Sequence, residues 1–96
     1  MKKENITLTT TVLQKREIYL TDLDDDKVMM DLDTGNYYAL NSIGASIWEG
    51  IENPITVENL VQNLLKEYDV SQTVCEEQVL AYLQKLYNAD LVAVIA

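Results

Sequence analysis

The chain has 96 residues with 16 acids, seven bases and no histidine, for a formal charge of −9. A duplex binder draws most of its affinity from Lys and Arg set against phosphates, so this balance argues strongly against nucleic acid as a partner and equally against an anionic membrane surface. Without histidine there is no Ser-His-Asp or Cys-His catalytic pair, no His-ligated zinc and no imidazole proton shuttle, so neither enzyme activity nor a metal or other cofactor is expected.

The length allows one domain over residues 1–96, with an ordered core expected from about 7 to 95. At 48% hydrophobic residues the composition is that of an ordinary globular protein. The longest apolar run, Leu91 to Ala96, is six residues against the roughly 20 that a membrane span needs. Lys2 and Lys3 are followed by Glu4, Asn5 and a Thr-rich stretch instead of an apolar signal segment, so the expected location is the cytoplasm. The single cysteine, Cys75, has no partner for an internal disulfide.

In chain order, Thr7 to Gln14 is rich in β-branched side chains, with Leu8, Thr10 and Val12 on one face, and is predicted to be the first strand. Lys15 to Tyr19 could extend it or form a connection, and Thr21 to Asp26 reads as a polar turn. Lys27 to Asp33 and Asn36 to Asn41, joined through the turn residues Asp33-Thr34-Gly35-Asn36, form the clearest local signal, a β-hairpin that supplies strands two and three. Alternation predicts that Val28, Met30, Leu32, Tyr38 and Leu40 face the core, with Met29, Asp31, Tyr37 and Ala39 outward.

Beyond Asn41 the period becomes helical. Asn41 or Ser42 caps a helix that buries Ile43, Ile47, Trp48 and Ile51 and ends at Asn53-Pro54. Gly44 is expected to allow close backbone packing. Thr56 caps a second helix with an apolar stripe of Val57, Leu60, Val61, Leu64, Leu65 and Tyr68. Thr73 and Glu76 match a capping box and predict the start of the third helix, which runs to about Ala89 with Val79, Leu83 and Leu86 inward. Leu91 to Ile95 reads as a closing strand or a packed tail. Three strands followed by three helices describe an α+β fold, a winged-helix-like domain with a three-stranded antiparallel sheet.

Several motifs carry no chemistry. The third helix holds only Lys85 against Glu76 and Glu77, which is wrong for a major-groove reader and leaves a winged-helix transcription regulator as a remote alternative. Asp22, Asp24 and Asp26 copy part of a calcium-loop spacing, but Lys27 stands where that loop needs glycine. Cys75 has acids beside it and no base, so it reads as a structural thiol. What survives is geometric. If strand three is a sheet edge beside the exposed face of helix three, an extended peptide can add to its unpaired backbone and drop alternate side chains against the helix.

The stretch Met30 to Glu49, with Thr56-Val-Glu-Asn-Leu60, Tyr68-Asp-Val70, Val79 to Leu86 and Leu91-Val92, resembles the PqqD family, the RiPP recognition elements that bind leader peptides of ribosomally made, later modified peptides. As a small free-standing acidic chain it is most similar to the PqqD-like component of lasso-peptide clusters. The resemblance implies that a precursor leader peptide pairs with strand three and lies against helix three. Carried over by position, the peptide-binding residues would be Asn36, Tyr37, Tyr38, Ala39 and Leu40 on the strand, and Gln78, Val79, Tyr82, Lys85 and Leu86 on the helix. It also implies a transglutaminase-like cysteine protease as partner and, downstream, an asparagine-synthetase-like cyclase; the alternative within the family is a radical-SAM peptide-modifying enzyme. Tyr82→Ala and Leu86→Glu are both expected to weaken leader binding without abolishing folding. Many relatives have glycine where this chain has Asp90, so the exit of helix three is expected to differ.

Overall fold

The computed structural model describes residues 5–15, 18–23, 26–31 and 34–95. Three side chains set the helix starts. Asn41 accepts from the Gly44 N–H at 2.8 Å and opens α1 (Ser42–Gly50). Thr56 accepts from the Asn59 N–H at 3.3 Å and opens α2 (Val57–Glu67). Ser71 accepts from the Val74 N–H at 3.2 Å and opens α3 (Gln72–Asn88). Each cap satisfies one of the N–H groups that a helix start leaves without an internal partner. The first two agree with the sequence reading and the third corrects it. Ser71 is extended and its hydroxyl reaches Val74, so the helix begins before Thr73, and Thr73 and Glu76 both lie inside it.

The strands are β1 (Thr11–Gln14), β2 (Tyr19–Leu23), β3 (Asp26–Asp31), β4 (Asn36–Leu40), β5 (Ile55–Thr56) and β6 (Val92–Ile95). They form two antiparallel three-stranded sheets, ordered β5-β1-β6 and β2-β3-β4. The α+β class stands, with an antiparallel sheet β2-β3-β4 followed by three helices, but its first strand is not the expected one. Residues 19–23, where the sequence reading places the end of a first-strand extension or connection at Tyr19 and a polar turn from Thr21, pair with β3 from Tyr19 opposite Met30 to Leu23 opposite Asp26. An antiparallel sheet can leave one face in water, so a single acid in the segment does not by itself forbid a strand. The expected first strand is shortened to β1, because Thr7 to Thr10 folds as a turn closed by the Thr10 N–H on the Thr7 carbonyl at 3.1 Å. It pairs with β6, so the C-terminal segment is a closing strand. Asp24 and Asp25 of the acidic turn, and Leu32 and Asp33 of the hairpin, lie outside the described residues.

The hairpin register inverts one expected face. Asp31 pairs with Asn36, Met29 with Tyr38 and Lys27 with Leu40. Four residues separate Asp31 from Asn36, so even positions on β4 share a face with odd positions on β3. Tyr38 and Leu40 face inward as expected, while Tyr37 and Ala39 are exposed. On β3, however, Met29 is 0% and Asp31 3% exposed, with Val28 and Met30 only half-buried. A register displaced by one residue moves every side chain of a strand to the opposite face, and the loop length decides which parity holds.

The core gathers Ile47, Trp48 and Ile51 from α1 and its end, Val57, Leu60, Val61 and Leu64 from α2, Val79, Leu83 and Leu86 from α3, and Leu91 and Val92 at the C-terminal strand. Tyr68 ties α2 to α1, with its hydroxyl 2.8 Å from the Ser46 hydroxyl and donating to the Ser42 carbonyl at 3.2 Å. Gln14 ties β1 to α1 by donating from Nε2 to the Trp48 carbonyl at 2.7 Å. Among the described residues no helix is long and apolar enough to cross a membrane.

Helix α3 ends on an unusual residue in the usual geometry. Asp90 has φ 67°, its N–H donates to the Tyr87 carbonyl at 3.0 Å, and the Leu91 N–H donates to the Leu86 carbonyl at 3.0 Å. These are the two bonds of a Schellman ending, in which glycine usually takes the left-handed position. The exit therefore has the shape that a glycine would give, with Asp90 also held by an exposed ion pair to Lys15. The left-handed backbone costs a side-chain-bearing residue about 1–2 kcal/mol, against about 0.5–1 for the extra unfolded-state freedom of glycine and up to about 1 for a surface ion pair. Asp90→Gly is expected to change stability by less than about 1 kcal/mol, on the stabilising side, as read by urea denaturation. A loss above about 1 kcal/mol would show that the Asp90 side-chain contacts outweigh the backbone.

Candidate functional site

Among the described residues, strand β4 is an edge of its sheet, with β3 on one side and no strand on the other. Beside that edge runs one face of α3. The first part of the space between them is a groove of about 320 Å³ lined by Tyr37, Tyr38 and Ala39 from β4 and Tyr82, Lys85 and Leu86 from α3. It adjoins a second part of about 440 Å³, where Asn41, Ile43, Gly44 and Ile47 at the start of α1 face Gln78, Ala81, Tyr82 and Lys85. Tyr82 and Lys85 belong to both parts, so the two make one trough along α3. Gln78, Ala81, Tyr82 and Lys85 are at helical spacings of three, four and seven, which puts them on one stripe. Seven residues at 1.5 Å each give about 10 Å of helix, the length of about three residues of extended chain.

Gly44 lets the start of α1 lie close against Tyr82. A Cβ placed on it would stand 3.0 Å from the Tyr82 hydroxyl and 3.2 Å from its ring, closer than the pair can pack without the ring moving. The close approach expected of Gly44 is therefore to a side chain of α3. Burial raises the Tyr82 phenol pKa above its ordinary value, so the hydroxyl stays protonated and able to donate throughout the physiological range. Cys75 is buried, and burial first, then Glu76, raises its pKa, which keeps the thiol protonated and in a structural role.

The ten residues singled out from sequence are only partly brought together. Tyr37, Tyr38, Ala39, Gln78, Tyr82, Lys85 and Leu86 line the trough. Asn36 is exposed at the far end of β4, and Leu40, 3% exposed, points into the core. Val79 is 0% exposed and supports α3 from behind without lining the trough. Leu86 lines it, yet is only 3% exposed. A carboxylate there would be buried without a partner, so Leu86→Glu is expected to damage folding as well as binding. Sequence reasoning missed Asn41, Ile43, Gly44, Ile47 and Ala81. The signals available were a glycine in the first turn of α1 and the position of Ala81, three residues from Gln78 and four from Lys85. A further cavity of about 470 Å³ lies between α1 and α2, lined by residues that include Ser46, Glu49, Asn63 and Lys66, and shares no lining residue with the trough.

A family model described as coenzyme PQQ synthesis protein D (PqqD) matches residues 26–92, from β3 to the start of β6, which includes β4 and both walls of the trough. The chain belongs to the PqqD family. The resemblance carried by the hairpin-to-helix stretch is borne out. Among solved structures, the chain is similar to one described as TbiB1 in complex with the TbiA(beta) leader peptide, at 27% identity and a TM-score of 0.72, over 88% of this chain and 98% of that one. No curated protein matches.

Proposed function

We propose that this chain binds the leader peptide of a ribosomally made precursor by strand addition to β4, in the trough against α3, and presents it to a separate transglutaminase-like cysteine protease in cytoplasmic lasso-peptide maturation. The observation that carries the reading is the open edge of β4 beside the apolar trough, in a PqqD-family chain similar along its length to a leader-bound protein. Backbone groups of Asn36 to Leu40 supply the ladder, Tyr38, Tyr82 and Leu86 the apolar surface, and Gln78 and Lys85 the polar rim. Val79 holds α3 in place from the core. Affinity then comes from the ladder and specificity from two or three side chains in pockets. On this reading the chain performs no chemistry and delivers substrate, with the asparagine-synthetase-like cyclase acting after the protease.

Two measurements test it together. Fluorescence anisotropy of the labelled leader from the precursor encoded beside this gene is expected to report saturable binding with only modest salt dependence, unlike a phosphate contact. Cleavage of the full precursor by the cognate protease is expected to accelerate when the chain is added. Binding without acceleration would remove the protease from the proposal and favour the radical-SAM branch of the family. Absence of binding would remove the leader.

A further inference from the structure

We infer that Lys85 pairs with an acidic residue of the bound leader, two positions from the apolar side chain that enters beside Gly44 and Tyr82, and so sets the register of the added strand. This rests on the strand-addition reading and adds to it the chemistry of the sequence selected. Lys85 is exposed and lines both parts of the trough. Every other described residue lining those parts is uncharged, whether it comes from β4, from α1 or from α3 itself. Along α3 its neighbours at three and four residues are Ala81, Tyr82, Asn88 and Ala89, so no acid within a turn neutralises it. Residues 28–96 hold only one other base, Lys66 on α2, against ten acids.

Among the described residues, the trough of a strongly acidic protein therefore presents one charge, and it is positive. A cation near the end of α3 also complements the helix dipole, and that role alone would place no demand on a ligand. The ligand argument comes from register. A backbone ladder is nearly indifferent to a slip of two residues, because the same faces remain in place, so something other than the hydrogen bonds must choose the frame. An acid facing Lys85 is attracted, while the same acid displaced along the strand meets only the negative field of the remainder. Residues two apart on a strand share a face and are separated by about 6.5–7 Å, a span that the lysine side chain can cover from its place one turn beyond Tyr82.

Selection from a random peptide display library tests this on three immobilised proteins: wild type, Lys85→Glu and Lys66→Glu. The last carries the same change in net charge outside the trough. Wild type and Lys66→Glu are expected to enrich peptides with Asp or Glu two positions from an apolar residue, and Lys85→Glu to replace that acid with Lys or Arg. Neutralising the selected acid should weaken binding to wild type on the order of 3- to 10-fold and leave Lys85→Glu unaffected or improved. Enriched peptides without an acid preference, or an equal shift in Lys66→Glu, would overturn the role of Lys85 while leaving strand addition intact. No enrichment on any of the three would overturn both.

Discussion

Tyr82→Ala is expected to weaken leader binding about 10- to 30-fold, or about 1.4–2 kcal/mol, while the domain stays folded. Tyr82 is shared by both parts of the trough and stands against Gly44, a position of α1 that has no side chain. An aromatic ring at the centre of a groove is the kind of residue on which binding energy concentrates, because it offers a large rigid surface at low entropic cost. The ring is only half-buried, so its removal costs about 1–2 kcal/mol of stability, well short of unfolding. Tyr82→Phe separates ring from hydroxyl and is expected to bind within about threefold of wild type, the scale of one neutral hydrogen bond. Anisotropy with the labelled leader reads both variants. Equal affinity in Tyr82→Ala and wild type would take α3 out of the site.

The largest stability effect is expected at Trp48, which is 2% exposed on the core face of α1. Trp48→Ala removes a ring from a packed interior and should cost about 3–5 kcal/mol. A domain of this size has a total stability of about 5–14 kcal/mol by the usual per-residue range, so about a fifth or more of it is lost. The melting temperature should fall by roughly 12–40 °C, at about 4–8 °C per kcal/mol. Far-UV circular dichroism is the suitable readout, since Trp48 is the only tryptophan and its fluorescence leaves with it. A fall of less than about 5 °C would mean that the α1 face does not pack as described.

The parts of this fold that follow local rules were legible in the sequence. Asn41 and Thr56 cap as side chains of their type do, and the α2 stripe of Val57, Leu60, Val61 and Leu64 is buried as its spacing predicts. What failed was set by partners distant in sequence or by counting across a loop. β2 gains its identity from pairing with β3, which nothing in Tyr19 to Leu23 announces on its own. Met29 and Asp31 face inward because of how many residues separate Asp31 from Asn36, and alternation alone gives a strand two faces without saying which is buried. The trough was legible as an edge beside a helix, whereas its far wall at Ile43, Gly44 and Ile47 depends on how closely α1 approaches α3. The Asp90 exit shows the same limit, since a motif lacking its glycine kept the backbone that glycine would have given.

The central claim is that a peptide becomes the next strand beside β4, and backbone amide measurements along that strand test it most directly. With the neighbouring leader added to the labelled protein, amides of Asn36 to Leu40 are expected to shift, and alternate ones to gain protection from solvent exchange, as new ladder bonds form. Shifts should extend along α3 from Gln78 to Leu86 and leave the α1–α2 cavity at Asn63 and Lys66 unchanged. Shifts confined to that cavity, or a leader that binds while the β4 amides exchange as before, would contradict strand addition.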